Sequence, residues 1–133
     1  MTFGDLKGMV GQTIVYYVVK GCIIKAKKGK VFRGRDYYRN DDSLDLKLVD
    51  KLGRCQGYVC HTIYFGNGYY NRGVNVSKST VYDCGYAKLY LNKEEAYRYV
   101  IEKLRKQRQD INKRMLKAQM ELYGKKMEIK NEG

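Results

Sequence analysis

The feature that most constrains this chain is a change of composition near residue 92. Twelve of its 14 glycines and 11 of its 14 tyrosines come before that point, while all six glutamates follow it, the first being Glu94. Glycine, tyrosine and β-branched residues suit twisted strands joined by tight turns, whereas Glu, Lys, Arg, Gln, Met and Leu suit helix. The pattern predicts a β-rich module over 1–92 and a basic helical extension over 93–133 packed on it, together one domain of the α+β class. With 133 residues, the chain can support a core without disulfide or metal staples.

Within the first part, residues 13–19 are a dense β-branched and aromatic run. Gly21 offers a turn into 22–28, where Cys22, Ile24 and Ala26 alternate with Ile23, Lys25 and Lys27, so the two segments read as a hairpin. Gly29 is expected to break this strand, with another over 30–38. Asn40-Asp41-Asp42-Ser43 is a turn cluster. Leu44, Leu46 and Leu48 alternate like a strand, while Leu44, Leu48, Val49 and Leu52 also fit a helical spacing; the alternation is preferred over 44–52. Further strands are expected over 54–65, 74–82 and 87–91, with a glycine-rich loop over 66–73. Short strands, glycine turns and no proline fit a small antiparallel curled sheet or a partly open SH3-like or OB-like barrel.

The helix start is the clearest local signal. Asn92 can cap, Glu95 can close a capping box, Leu91 can staple onto Ala96, and Glu94 and Glu95 suit the positive end of the dipole, so a helix should begin at Lys93. Its expected core positions are Ala96, Tyr97, Val100, Ile101 and Leu104. After a polar break, Ile111, Met115, Ala118 and Leu122 follow with heptad spacing, and Gly124 is a natural stop. A helix over 93–123 would be about 46 Å long, longer than a small barrel is wide. Its second half is expected either to turn back at 107–112 as a helical hairpin or to meet another chain, giving a homodimer.

The segment Asp83-Cys84-Gly85 through Leu91-Asn92-Lys93-Glu94-Glu95-Ala96 resembles a junction found in small proteins of Firmicutes phages and mobile elements. In those, a compact β module ends in an L-[ST]-x-E-E-A segment leading into a helix; here Asn92 takes the place of the Ser or Thr cap. The resemblance covers about 15 residues. It implies a phage or mobile-element accessory protein, a group that includes inhibitors of host defence, anti-CRISPR proteins among them. It carries over no catalytic residue.

Several function classes are disfavoured by what the chain lacks. Cys22, Cys55, Cys60 and Cys84 occur with no secretory leader, so free thiols in a reducing compartment, the host cytoplasm, are expected. Only Cys55 and Cys60-His61 lie near one another, which does not make the two ligand pairs of a zinc site, and no metal or other cofactor is expected. The longest apolar run, 14–19, is far short of the ~20 residues of a membrane helix, so no membrane partner is expected. His61 is the one histidine and has no acidic neighbour in sequence. Asp36 with Asp45-x-Lys47 is the nearest approach to a metal-dependent nuclease pattern, and such a triplet arises readily in a chain rich in Asp and Lys. A binding protein is expected, not an enzyme.

What remains is charge combined with tyrosine. The formal charge is +13, from 27 Lys and Arg against 14 Asp and Glu. Residues 20–39 hold eight basic residues and one acid, and residues 98–117 hold eight against two. In the first segment Lys25, Lys27, Lys28, Arg33, Arg35 and Arg39 surround Tyr37 and Tyr38. Tyr69, Tyr70 and Arg72 repeat the combination in the glycine-rich loop, and Arg105, Lys106, Arg108, Lys113 and Arg114 mark the helix. Basic clusters neutralise phosphates and release counterions, while exposed tyrosines stack on unpaired bases. Any one of these residues taken singly reads more readily as a solvated lysine or a packed tyrosine, but +13 on one small domain repels itself without a polyanionic partner. The expected function is binding of RNA or single-stranded DNA, or of a host nucleoprotein complex, through these residues. The alternative is a protein-directed, anti-CRISPR-like inhibitor that blocks the RNA- or DNA-binding surface of a host defence nuclease.

Overall fold

A computed structural model describes residues 1–34, 42–65 and 75–132, with side chains as far as residue 124. Six strands precede one helix: β1 (Thr13–Lys20), β2 (Ile23–Arg33), β3 (Ser43–Val49), β4 (Cys55–Tyr64), β5 (Val81–Cys84), β6 (Ala87–Tyr90) and α1 (Lys93–Glu132). The strands form one antiparallel sheet in the order β4-β3-β2-β1-β6-β5. The first four are a meander, and the β5–β6 hairpin returns to add β6 to the free edge of β1. The result is a curled half-barrel followed by a helix, an α+β fold. The Tyr82 hydroxyl of one edge strand accepts the Tyr64 N–H of the other at 3.3 Å. Two compact units make up the chain, Met1–Val100 and Ile101–Gly133.

Two hairpins share one turn chemistry. Lys20 pairs with Ile23 across Gly21-Cys22, and Cys84 pairs with Ala87 across Gly85-Tyr86. Gly21 and Gly85 have φ of +61° and +62°. A two-residue turn with glycine first needs that left-handed backbone to match the twist of the strands it joins.

Gly29 does not break β2, which runs on to Arg33. It pairs with Ile14 and Leu48 inside the sheet, and a Cβ there would stand 2.8 Å from the Tyr16 ring. The missing side chain makes room for a buried tyrosine, so the glycine is a packing position and not a turn. The alternation of Leu44, Leu46 and Leu48 does form a strand, β3, ending at Val49. The strand expected over 74–82 is shorter: residues 76–78 are a turn with Val76 buried, and β5 starts at Val81.

The concave face of the sheet carries Ile14, Tyr16, Val18, Val31, Leu44, Leu46, Ile63, Tyr82, Ala87 and Leu89 in one buried cluster. Phe3, Leu6 and Val76 complete it, with Phe3 and Leu6 fully buried. Phe3 precedes, and Leu6 lies within, a 3-10 helix over Gly4–Met9 that the strand and helix patterns of the sequence do not announce. This N-terminal segment is pinned by Phe3 N–H to Ser79 O at 2.9 Å and by the Thr2 hydroxyl to Ser77 O at 3.0 Å. Gly4 has no room for a Cβ, which would run into the Ser77 carbonyl.

A second cluster joins Val19 and Tyr90 of the sheet to Ala96 and Val100 of α1, with Tyr99 packed against it. Asn92 caps the helix as expected, its Oδ1 accepting the N–H groups of Glu94 at 2.8 Å and Glu95 at 3.4 Å. The Glu95 carboxylate takes another partner than the reciprocal capping box provides, accepting the Thr80 hydroxyl at 2.6 Å. Leu91 packs against the concave cluster. Of the expected core positions, Ala96 and Val100 are buried, while Tyr97, Ile101 and Leu104 are each about half exposed. The helix continues without a turn at 107–112 or a stop at Gly124, so the helical hairpin is not formed. Nothing in 107–112 forbids helix: Gln107, Arg108, Gln109, Asp110 and Asn112 interrupt the apolar pattern, not the backbone.

Candidate functional site

Strand alternation divides the predicted basic hairpin between two faces. Lys25 and Lys27 stand opposite Val18 and Tyr16, so they share the concave face, whereas Lys28 stands opposite Val15 on the other. Arg33 lies at the end of β2, opposite Leu44. Arg35, Tyr37, Tyr38, Arg39, Tyr69, Tyr70 and Arg72 lie outside the described residues.

On the convex face, register brings together residues far apart in sequence. Lys30 and Lys47 are directly opposed on β2 and β3, and Phe32 opposes Asp45 one step along. The Lys47 ammonium lies 4.6 Å from the centre of the Phe32 ring and that of Lys30 lies 5.7 Å from it. Both distances fit a cation held at an aromatic face. A shallow depression of about 640 Å³ opens here, lined by Val10, Phe32, Arg33, Asp45, Lys47 and Val59. Asp45 is buried and committed, accepting the Thr62 hydroxyl at 2.9 Å. None of the ion pairs among the described residues involves Lys28, Lys30 or Lys47. Like charges placed directly across a ladder destabilise it, so this arrangement has a cost that no ion pair of either lysine removes. Lys30, Phe32 and Lys47 are not among the site residues expected from sequence. The Lys28-x-Lys30-x-Phe32 alternation could have found the first two, but Lys47 needed the pairing register.

The concave face holds a different group. Register passes from Leu46–His61 to Lys47–Val59, which leaves Cys60 as a bulge on β4. The Tyr16 hydroxyl and His61 Nδ1 are 3.1 Å apart, with the rings edge to face. Burial and the neighbouring Cys60 push the Tyr16 pKa far up, so its hydroxyl stays protonated and donates. Nδ1 then accepts, and the neutral ring carries its proton on Nε2. Burial, then the positive charges of Lys27 and Lys20, holds the His61 pKa below its usual 6.5. The unfolded chain therefore takes up this proton more readily than the folded one. Stability is fully present above pH 6.5 and falls as the pH drops through that value toward the lower folded one. Urea midpoints at about pH 7.5 and 5.5 should differ in that direction, and His61→Gln should narrow the gap; an unchanged gap would remove His61 as its cause.

In the unit Ile101–Gly133, Arg105, Lys106, Arg108, Lys113 and Arg114 are all exposed. Arg105 pairs with Glu102 and Arg114 with Asp110 along the helix, at 3.3 and 2.9 Å. Lys106, Arg108 and Lys113 have no ion pair among the described residues. All four cysteines are free thiols, and no group of three or more His, Cys, Asp or Glu among the described residues is placed to hold a metal ion. No helix among them is long and apolar enough to cross a membrane.

Compared with protein-family models, with curated proteins and with solved structures, the chain matches none.

Proposed function

We propose that this protein is a non-enzymatic binding module that takes single-stranded nucleic acid on the convex face of β2 and β3. The observation that carries this reading is the opposed pair Lys30 and Lys47 astride the half-buried Phe32 ring, with Lys28 beside them on the same face. An unpaired base offers the ring a stacking partner, and the two displaced ammonium groups then find phosphates on either side of it. Stacking of this kind contributes about 1–3 kcal/mol per base. The phosphates also relieve the repulsion between the two lysines; a duplex would do the same, but its bases, already stacked, offer the ring no free face. A formal charge of +13 supports a polyanionic ligand. The resemblance of the Leu91–Ala96 junction supports an accessory role of phage or mobile-element type in a host cytoplasm.

The test is a fluorescence-anisotropy titration with a labelled oligo-dT at salt concentrations from about 50 to 200 mM. If Lys28, Lys30 and Lys47 each neutralise one phosphate, the logarithm of affinity should fall against that of salt with a slope of about −2 or steeper. A flat response, or no binding at the lowest salt, would overturn the nucleic-acid reading. It would favour instead the protein-directed inhibitor of a host defence nuclease, for which the same basic face would imitate no nucleic acid but dock on the nuclease itself.

A further inference from the structure

The depression beside Phe32 holds a group that phosphate binding leaves unused. Asp45 stands directly opposite Phe32 in the ladder, so their Cβ atoms are about 5 Å apart on the same face. The residue is only 9% exposed, and the Thr62 hydroxyl occupies its Oδ1. That bond commits one carboxylate oxygen; among the described residues Oδ2 has no hydrogen-bond partner. The sealed side-chain polar atoms that lack a partner are Ser43 Oγ and Gln56 Oε1, so Oδ2 is open to the depression that Asp45 lines. Arg33 and Lys47 line the same depression, yet neither forms an ion pair with Asp45 or with any other described residue. A carboxylate that leaves two neighbouring cations unpaired has an acceptor to offer a ligand.

A phosphate is not that ligand, because it accepts hydrogen bonds and shares the carboxylate's sign. A nucleobase stacked on Phe32 brings an edge beside Asp45, and base edges are read by hydrogen bonding of this kind. The four bases differ in what they present. On its Watson–Crick edge guanine carries N1–H and the N2 amino group side by side, two parallel donors that match a carboxylate. Adenine and cytosine have one amino donor next to a bare ring nitrogen, and the N3–H of thymine or uracil lies between two carbonyl oxygens, so each of these sets an acceptor against the carboxylate. Oδ2 takes one guanine donor, and Oδ1 keeps a lone pair beside the one that Thr62 uses. Guanine O6, adjacent to N1–H, calls for a donor in turn, and the Arg33 guanidinium in the wall of the depression supplies one.

We infer that the base stacked on Phe32 is guanine, read by the Asp45 carboxylate through N1–H and the N2 amino group and by Arg33 through O6. Asp45 thereby sets specificity, while Lys28, Lys30 and Lys47 hold phosphates of any sequence. The inference rests on the single-stranded nucleic-acid reading and adds to it which base the site prefers.

The experiment is competition against labelled oligo-dT, read by anisotropy at about 50 mM salt, where phosphate contacts are strong. The competitors are the trinucleotides d(TGT), d(TAT), d(TCT), d(TTT) and d(TIT), each with one central base between two phosphates, so that a single register satisfies the site. d(TGT) should compete about tenfold better than d(TAT), d(TCT) and d(TTT), the fold-change of one hydrogen bond to a charged group. The hypoxanthine of d(TIT) keeps N1–H and O6 but lacks the N2 amino group, and d(TIT) should fall about fivefold below d(TGT). In Asp45→Asn the preference for d(TGT) over d(TTT) should shrink to about twofold, with circular dichroism showing that the variant is folded. Free dGMP, lacking the second phosphate, should compete far less than d(TGT). Equal competition by all five trinucleotides, with oligo-dT still bound in a salt-dependent way, would overturn this inference and leave the nucleic-acid reading standing; no binding of oligo-dT would overturn both. d(TIT) equal to d(TGT), or an undiminished preference in folded Asp45→Asn, would remove Asp45 as the reader of guanine. dGMP as effective as d(TGT) would make the ligand a free nucleotide and overturn the inference equally. If Asp45→Asn does not fold, the comparison of d(TGT) with d(TIT) on the unaltered protein decides.

Discussion

Phe3→Ala should destabilise the protein by about 3–5 kcal/mol, a large part of the stability of a domain this size. The side chain is fully buried in the concave cluster, its ring centre 5.9 Å from that of Tyr82. Tyr82 lies on the edge strand β5, and its hydroxyl receives the N–H of Tyr64 from the opposite edge strand, β4. A cavity at Phe3 therefore loosens a place where the two edges of the half-barrel are hydrogen-bonded to each other. The segment cannot slide to fill the space, because Phe3 N–H is bonded to Ser79 O and Gly4 is closed against Ser77. Urea unfolding followed by circular dichroism measures the loss. A midpoint within experimental error of the original would mean that the N-terminal segment is an ornament on a sheet that closes by itself.

Lys30→Glu should move stability and ligand affinity in opposite directions. In the ladder, the introduced carboxylate would face Lys47 and replace a like-charge pair with an attractive one, which raises stability by about 0.2–1 kcal/mol. Lys28 and Phe32 flank this position along the same face of β2, and the Asp45 carboxylate, opposite Phe32 and bonded to the Thr62 hydroxyl, lies only diagonal to it, so its repulsion offsets part of the gain from Lys47 and not the whole. For a nucleic acid the same change removes one phosphate contact, ties the second lysine to a carboxylate and places a negative charge beside the stacking ring. A charge-assisted hydrogen bond is worth about 1.5–3 kcal/mol, so affinity for oligo-dT should fall between about tenfold and a hundredfold. Thermal unfolding and anisotropy on the same preparation read both effects. Unchanged affinity would place the ligand elsewhere than Lys30, Phe32 and Lys47, whatever the stability did. Lower stability would show that the two lysines do not oppose each other as the register requires.

Much of the local structure was legible in the residues themselves. The Asn92 cap, the glycine-first turn at Gly21 and the alternation of Leu44, Leu46 and Leu48 are decided within a few residues by backbone sterics and side-chain reach, and each is found where the sequence places it. The division into sheet and helix near residue 92 follows from composition for the same reason. Other features depend on what lies across space. Gly29 reads as a break in one dimension, yet the Tyr16 ring of the neighbouring strand makes it a strand residue. Glu95 had a capping partner in sequence and a Thr80 hydroxyl in the fold.

The candidate site shows the limit most clearly. A run of basic residues in sequence reads as one patch, but a period of two sends Lys25 and Lys27 to one face of the sheet and Lys28 and Lys30 to the other. The partner of Lys30 is 17 residues away, and only the pairing of β2 with β3 places Lys47 opposite it above Phe32. By itself the sequence determined the elements, their caps and turns, and the excess of positive charge, because these are local or additive properties. The tertiary structure alone decided which charges meet, which aromatic ring they share and which end of the chain fills the sheet, because those are set by register and packing between segments that the chain order keeps apart.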